Sequence, residues 1–199
     1  MTNAEFLAAI KDDVLQDMAN TGILASLTAA QALIESGSGS SKLSLPPNNN
    51  LFGIKGSYNG QSVTMKTKEY VNGKYVVVNA AFKKYPSWRE SIADHSAMFL
   101  RLSRYANLRG EKDYKTACRN VQADGYATSP TYANTLISTI EKNKLYLWDQ
   151  EELPVDLALY DAINVIADRV IDGRFGYGHE QRAAMIYQMV RERVNLILS

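Results

Sequence analysis

Two glutamates stand where a carboxyl group could take part in chemistry. Glu35 ends a predicted helix in the stretch AQALIESGSGSSKL, and Glu69 lies in a β-prone stretch. A helix C-terminus and partial burial both raise the pKa of a carboxyl above the value of about 4.3 for free Glu. A carboxyl that keeps its proton near neutral pH can act as a general acid toward a glycosidic oxygen, and a second carboxylate can activate water or stabilise a positively charged transition state. The pair therefore predicts cleavage of a sugar bond.

Histidine and cysteine offer little further chemistry. The chain has two His and one Cys, so an intrachain disulfide and a cysteine metal cluster are excluded, and we expect no metal site and no cofactor. His95 stands among apolar residues of a predicted helix, and we interpret it as a packed residue rather than a base. Cys118 also has apolar neighbours, and we interpret it as an inert buried thiol.

The composition is typical of a globular protein large enough for one domain and a small module. Of the 199 residues, 46% are hydrophobic and 22% are charged, with a net charge of +1. The basic excess lies in residues 1–150, but it is less dense than nucleic-acid binding usually requires, so we expect no nucleic-acid partner. No run approaches the roughly 20 apolar residues of a membrane span. The first twenty residues lack a secretory signal pattern, so we expect synthesis in a host cytoplasm and no membrane association.

Periodicity, capping residues and one turn signal predict the elements that position the two glutamates. Asn72-Gly73 between β-prone runs is a strong hairpin signal, and it places Glu69 on the first strand. Helices are predicted over 3–18, 27–35, 88–102, 112–123 and 132–146. The predicted fold class is therefore α+β, mostly helical with one small β-hairpin.

The segment after Glu35 is rich in Gly, Ser, Pro and Asn and must be irregular. It also contains Leu51, Phe52 and Ile54, for which a free linker has no use. We therefore predict an ordered loop folded over the domain.

The acidic segment DQEELPVD, residues 149–156, contains a proline and few residues to bury, which is typical of a domain boundary. We predict a catalytic domain over 1–150, a linker over 151–157 and a small three-helix module over 158–199. The last piece is short for an independent core.

Four sequence blocks resemble, in order and at ordinary spacing, the signature blocks of glycoside hydrolase family 73: TAAQALIESGSGSSKL, NNLFGIKG, KEYVNGKYVVVNAAFKKYPSWRESIADH and GYATSPTYANTLISTI. The resemblance covers about residues 20 to 148. It implies a lysozyme-like fold and the activity of a peptidoglycan β-N-acetylglucosaminidase.

The resemblance also implies roles for individual residues. Glu35 matches the catalytic acid of the family, and Glu69 matches the hairpin carboxylate proposed as its partner. Tyr126 and Tyr132 match tyrosines that line the cleft. Four residues match the NNLFGIKG wall of that cleft and are expected to bind substrate, with Phe52 able to stack on a sugar ring: Asn50, Phe52, Gly53 and Lys55.

The part played by Glu69 stays open between three mechanisms. Carboxyl groups ~5–5.5 Å apart indicate a covalent intermediate and retention, whereas ~6.5–9.5 Å leaves room for water and indicates inversion. In the third mechanism the substrate's own acetamido group assists, and Tyr126 would orient it. We favour inversion or substrate assistance over a covalent intermediate.

The C-terminal stretch INVIADRVIDGRFGYGHEQRAAMIYQMVRERVNLIL resembles a cell-wall-binding repeat of the type named after the Cpl-seven phage lysozyme. Such repeats are implied to bind muropeptide. Arg182 would pair with a peptide carboxylate, and Asp168 would accept from an amide or a hydroxyl. An equally weighted interpretation is that Arg182 only ties one helix to another.

The sequence thus predicts an endo-β-N-acetylglucosaminidase that acts on bacterial peptidoglycan as a monomer, and the appended repeat suggests a phage or prophage endolysin. Three alternatives stay open. A muramidase or lytic transglycosylase on the same fold would leave different new chain ends. A non-catalytic wall-binding tail component would keep its biological activity after Glu35→Gln. A flagellar or division assembly protein with a vestigial hydrolase would show a protein partner and no wall lysis.

Overall fold

A computed structural model of the chain describes residues 1–71 and 74–151, with only the backbone of 68–71 and 75. Five α-helices and two strands form this unit: α1 Asn3–Thr21, α2 Ala25–Ser36, β1 Ser62–Val71, β2 Lys74–Lys83, α3 Trp88–Arg101, α4 Tyr114–Ala123 and α5 Tyr132–Lys142. Two 3-10 helices, Ser103–Leu108 and Leu145–Gln150, complete it. The mostly helical α+β prediction is confirmed.

The centre of the unit is α2, whose residues from Ala25 to Leu33 are all buried. Its many alanines let neighbouring helices approach closely, and it packs against α1, α4, α5 and the second 3-10 helix. A helix that is mainly apolar around its whole circumference is expected at the centre of a core. Glu35 is thus carried on the most enclosed element of the described chain.

Local signals explain the ends of the helices. Thr2 and Glu5 form a reciprocal capping box at the start of α1. The side chain of Ser87 accepts a hydrogen bond from the Arg89 N–H at the start of α3, as predicted. Gly37 takes a left-handed conformation, with φ of 58°, and ends α2.

The loop 37–61 is ordered, as predicted. Leu51 is fully buried, and the indole N–H of Trp88 donates to the Ser44 carbonyl at 2.7 Å. Gly39 has a φ of +73°, and a Cβ there would lie 2.8 Å from the ring of Phe6. Only glycine satisfies both the backbone conformation and this close approach.

The two strands form an antiparallel hairpin whose register runs from Ser62 opposite Lys83 to Val71 opposite Lys74. The predicted turn residues Asn72 and Gly73 lie outside the described residues. On β2, three consecutive valines are partly exposed, and the most exposed is Val77 at 62%.

One helix is shorter than predicted. The sequence indicated a helix from 132 to 146, whereas α5 ends at Lys142. Lys144 takes a left-handed backbone conformation, with φ of 54°, and the chain continues as a 3-10 helix that buries Leu145. Apolar periodicity continues across this break, which is why the pattern alone overran it.

In the part of the chain that the structure describes, we find no helix with both the length and the apolar character needed to span a bilayer.

Candidate active site

Glu35 occupies the penultimate position of α2 and keeps an exposed surface, although residues 25–33 of the same helix are buried. Its position follows from the local sequence. The side chain of Ser36 donates to the Ala32 carbonyl at 2.6 Å, and Gly37 turns the chain away immediately afterwards. The carboxyl is therefore held by a rigid helix yet remains accessible to a ligand.

Tyr132, the first residue of α5, brings a second helix to this carboxyl. Its hydroxyl donates to Oε1 of Glu35 at 2.8 Å and accepts from Nε2 of Gln31 at 3.2 Å. The tyrosine is 7% exposed, whereas Gln31 is fully buried one turn before Glu35. The structure thus joins two of the predicted site residues, Glu35 and Tyr132, and adds Gln31.

Burial raises the pKa of Glu35, and the hydrogen bond from Tyr132 lowers it by a smaller amount. Neighbouring protein removes water that would otherwise stabilise the carboxylate, while the hydroxyl stabilises that same ionised form. The predicted direction of the shift is confirmed. Loss of water, rather than the helix end, is its main physical cause.

Tyr126 lies beside this pair in an aromatic cluster. Its ring stacks on Tyr132 with centroids 5.7 Å apart and meets the edge of His95 at 5.7 Å. The side chain is half-buried, and burial raises its pKa well above the ordinary value, so the phenol stays protonated. Tyr126 is therefore an indirect neighbour of Glu35, because its ring packs on Tyr132 and the Tyr132 hydroxyl binds Glu35.

Phe52 does not present its ring to a ligand. The side chain is 6% exposed and stacks face to face on His95, with centroids 3.9 Å apart. The prediction that Phe52 stacks on a sugar ring is wrong, because the imidazole already occupies a face of the ring. Phe52 anchors the loop to α3 instead.

Asn50 likewise shapes the loop from inside. It is 1% exposed, its amide donates to the Ile54 carbonyl at 3.0 Å and the Lys83 carbonyl at 2.8 Å, and its oxygen accepts from the Ile54 N–H. These bonds use both amide hydrogens, and the side chain is buried, so the predicted contact between the Asn50 side chain and substrate is wrong in this structure. The residue fixes the loop against β2.

Gly53 and Lys55 lie on the outer part of the same loop. Gly53 has a φ of +62°, and a Cβ there would meet no atom within 4 Å. Lys55 is exposed and pairs through its backbone with Phe82 of the hairpin. Both residues are accessible, and their substrate contacts stay a prediction.

Glu69 lies on β1 opposite Val76, as predicted for the first strand of the hairpin. Its side chain lies outside the described residues, so its separation from Glu35 stays a question for experiment. Asp168 and Arg182, together with the whole predicted module 158–199, also lie outside the described residues.

A shallow groove of about 490 Å³ runs along the outer face of α5 and is lined mainly by amide and hydroxyl side chains of that helix. Its lining includes Leu33 and Thr131, which lie close in sequence to Glu35 and Tyr132. None of the residues that the sequence predicted for substrate binding lines this groove.

The predictions that His95 and Cys118 are buried, packed residues are confirmed. His95 is fully buried among aromatic rings, and burial lowers its pKa to about 3, so it packs in the core as a neutral side chain. Cys118 is fully buried, and burial raises the pKa of its thiol to about 12. Among the described side chains, no three His, Cys, Asp or Glu residues come together as a metal site.

Sequence reasoning missed two polar residues that support Glu35. Gln31 is inside the signature block but was given no role there. Asp149 accepts from the N–H of Ser26 at 2.8 Å and from its hydroxyl at 2.6 Å. A contact between residues 123 positions apart leaves no local pattern, whereas the one-turn spacing of Gln31 from Glu35 was a visible signal.

Residues 11–145 match the family model described as mannosyl-glycoprotein endo-beta-N-acetylglucosaminidase, the glucosaminidase family. The chain belongs to this family. The predicted resemblance to glycoside hydrolase family 73 is thereby confirmed for this part of the chain. A similar solved structure, the catalytic domain of the autolysin Auto from Listeria monocytogenes, is 39% identical with a TM-score of 0.70, covering 74% of this chain and 87% of that one.

Curated relatives carry different activity names. The exo-glucosaminidase LytG of Bacillus subtilis is 40% identical over 133 residues, covering 64% of this chain and 47% of LytG. A probable N-acetylmuramidase of Lactococcus lactis is 37% identical over 137 residues, covering 65% of this chain and 31% of that protein. The chain spans less than half the length of these two curated relatives.

Proposed function

We propose that this chain is a glycoside hydrolase that cleaves peptidoglycan after N-acetylglucosamine. The observation that carries the proposal is the carboxyl of Glu35, which is accessible, has its pKa raised by burial, and accepts the Tyr132 hydroxyl at 2.8 Å. A general acid needs such a retained proton, and the same hydrogen bond stabilises the carboxylate left after transfer. Relatives named for peptidoglycan hydrolysis support the substrate class.

In the proposed reaction Glu35 gives its proton to the glycosidic oxygen while the bond from that oxygen to the anomeric carbon breaks. The bond's electrons stay with the leaving oxygen, and the sugar develops positive charge at its anomeric carbon. Water then supplies the new hydroxyl and releases one proton, and Glu35 is reprotonated. No group besides the chain, the glycan and water enters this balance.

Two groups are candidates for the second role, which is to bring about attack on the anomeric carbon. Glu69 on β1 would activate the water, giving inversion, or the substrate acetamido oxygen would attack first, with Tyr126 orienting it. Comparing Glu69→Gln with wild type separates them. Loss of most of the rate supports the carboxylate, and retention of nearly the full rate supports substrate assistance. The anomeric configuration of the first product, read by NMR, gives an independent answer.

The bond cleaved is tested by reducing-end analysis. Purified peptidoglycan is digested with the full chain, new ends are reduced with borohydride, and the fragments are weighed by mass spectrometry. The proposal predicts reduced glucosamine ends. Reduced muramic acid would support the second candidate, a muramidase, which the name of the Lactococcus relative favours.

Whether cleavage is internal or terminal is a separate question, because LytG is named an exo-enzyme. We propose internal cleavage, as expected for the endo-type activity in the family description. The lengths of glycan strands early in the reaction decide it. Internal cleavage shortens all strands at once, whereas terminal cleavage releases disaccharides while long strands persist.

We propose that residues 1–150 form the catalytic domain, 151–157 a linker and 158–199 a wall-binding repeat that contacts muropeptide through Asp168 and Arg182. The proposal rests on the sequence resemblance of the last segment. On the same resemblance we propose a role in phage or prophage lysis of the host wall. We also propose that the protein acts as a monomer. Sedimentation of the full chain with purified walls, compared with Arg182→Ala, tests the repeat, and light scattering tests the monomer.

A further inference from the structure

We propose that Gln31 is a positioning residue that fixes which oxygen of Glu35 carries the transferable proton. The inference rests on the proposed function of Glu35 as the acid. It comes from three side chains that meet at one hydroxyl, namely Gln31, Tyr132 and Glu35.

The geometry is a short chain of hydrogen bonds that runs from the core to the surface. Nε2 of Gln31 lies 3.2 Å from the Tyr132 hydroxyl, and that hydroxyl lies 2.8 Å from Oε1 of Glu35. Gln31 is fully buried, Tyr132 is nearly so, and Glu35 keeps an exposed surface although protein surrounds much of its carboxyl. The inner end of the chain is therefore fixed by packing, and only its outer end can meet a substrate.

The hydroxyl has one hydrogen and can donate it to one neighbour only. Gln31 directs an N–H at the hydroxyl oxygen, so the hydroxyl hydrogen points to Glu35. Oε1 is then an acceptor in both protonation states of Glu35. When Glu35 is protonated, its hydrogen must lie on Oε2, the oxygen that Tyr132 does not contact.

This arrangement matters at the moment of transfer. The Oε2–H bond breaks, the hydrogen joins the leaving glycosidic oxygen, and the negative charge on Glu35 is met by the hydrogen bond already present at Oε1. Without Gln31, Tyr132 can turn and accept from protonated Glu35. The proton would then be held in a hydrogen bond inside the protein, which stabilises the acid form and slows its transfer.

A structural explanation for Gln31 is weaker. Its Oε1 is buried and has no hydrogen-bond partner among the described residues. Burying an unpaired amide oxygen is destabilising, and an apolar side chain of similar length would avoid that cost. A polar residue kept at an unfavourable position is expected where function requires it.

The test compares Gln31→Met with a matched control on the same helix. Thr28 is also fully buried on α2, and its hydroxyl also lacks a partner among the described residues, but it does not contact Tyr132 or Glu35 through any hydrogen bond that the structure describes. Thr28→Val is therefore expected to keep wild-type kinetics. Gln31→Leu serves as a second apolar variant if Gln31→Met is poorly folded.

Kinetics are measured with the full chain on soluble glycan strands across pH. We expect Gln31→Met to lower kcat roughly tenfold, which is less than the loss of about 10²–10³-fold on outright removal of a donor, because the Tyr132 hydroxyl is still present, with KM within about twofold. Because the acid form becomes more stable, the alkaline limb of the kcat profile should move to higher pH. In a Tyr132→Phe background, Gln31→Met should have no further effect, since the hydroxyl is gone.

Three results would overturn the inference: wild-type kcat and pH profile in folded Gln31→Met, an equal loss in Thr28→Val, or fully additive effects with Tyr132→Phe. The failure of the proposed function looks different. Retention of full activity by Glu35→Gln would contradict the role of Glu35 as the acid. An inactive Glu35→Gln together with an unaffected Gln31→Met would contradict only the positioning role of Gln31.

Discussion

Asp149, in the second 3-10 helix, caps the first turn of the helix that carries Glu35 by accepting two hydrogen bonds from Ser26, at 2.8 Å from the N–H and 2.6 Å from the hydroxyl. The helix has no side-chain cap of its own, because Leu24 stands at the N-cap position. The end of the described unit therefore stabilises the start of α2.

Replacing Asp149 by Ala should lower the free energy of unfolding by about 1–3 kcal/mol, because the helix loses its cap and the buried Ser26 groups lose their acceptor. Thermal melts measure the effect. Glu151→Ala is the matched control, because Glu151 makes a part-exposed ion pair with Lys11 at 2.7 Å, and such pairs contribute less than about 1 kcal/mol. Equal losses in the two variants would contradict the capping role.

A buried carboxyl between α1 and α3 should make stability depend on pH. Asp17 is 6% exposed and accepts from the Ser96 hydroxyl, and burial raises its pKa to about 7 from 3.8. The folded protein therefore binds this proton more tightly than the unfolded chain. The contribution is fully present below about pH 4 and is lost as the pH rises through 7, with an upper bound of roughly 4 kcal/mol.

Asp17→Asn should remove this contribution, so the stability difference between variant and wild type should change in the variant's favour between pH 4 and 8. His95 acts in the opposite sense, because its lowered pKa favours the folded state as pH rises through the same range. The difference between the two proteins isolates Asp17. Asp12→Asn, on the exposed side of α1, should follow wild type. Parallel pH curves for Asp17→Asn and wild type would contradict the assignment.

Variants of Phe52 distinguish a role in core packing from a role in sugar binding. Phe52→Ala should cost about 3–5 kcal/mol of stability, since it removes a buried ring. The milder Phe52→Leu should leave KM within about twofold in the folded protein. Phe99→Leu is the control, because Phe99 is 1% exposed and also contacts His95, with centroids 4.6 Å apart. A rise in KM only for Phe52→Leu would restore the stacking role.

The contact between Tyr132 and Glu35 predicts the direction of a change in the pH profile. Activity needs protonated Glu35, so it is lost as pH rises through the pKa of that carboxyl. Tyr132→Phe removes a hydrogen bond that lowers this pKa, and the alkaline limb should therefore move to higher pH while kcat falls. A limb that stays in place or moves to lower pH would contradict the contact.

Much of this architecture is local in origin and was predictable. The amphipathic pattern of α1, the Ser87 cap and the Asn-Gly hairpin signal each act within a few residues. Glu35 was predictable for a similar reason, since Gly37 marks the helix end beside it. These features follow from propensity and spacing alone.

The roles that were mispredicted depend on contacts between distant parts of the chain. Phe52 was expected to face a ligand because it matches the cleft wall of the family, yet His95, far along the sequence, covers its ring. Asn50 was expected to bind substrate, but Lys83 and Ile54 take up its amide. A sequence pattern shows which residues are special, and only tertiary packing shows whether they face a ligand or the core.

The central claim is tested most directly by the rate at which purified peptidoglycan gains new reducing ends with Glu35→Gln, compared with wild type. The amide keeps the size of the side chain but carries no acidic proton, and circular dichroism confirms that the variant is folded. We predict a loss of at least about 100-fold, the usual scale for removal of a general acid. A folded variant that still releases reducing ends within about twofold of the wild-type rate would contradict the claim.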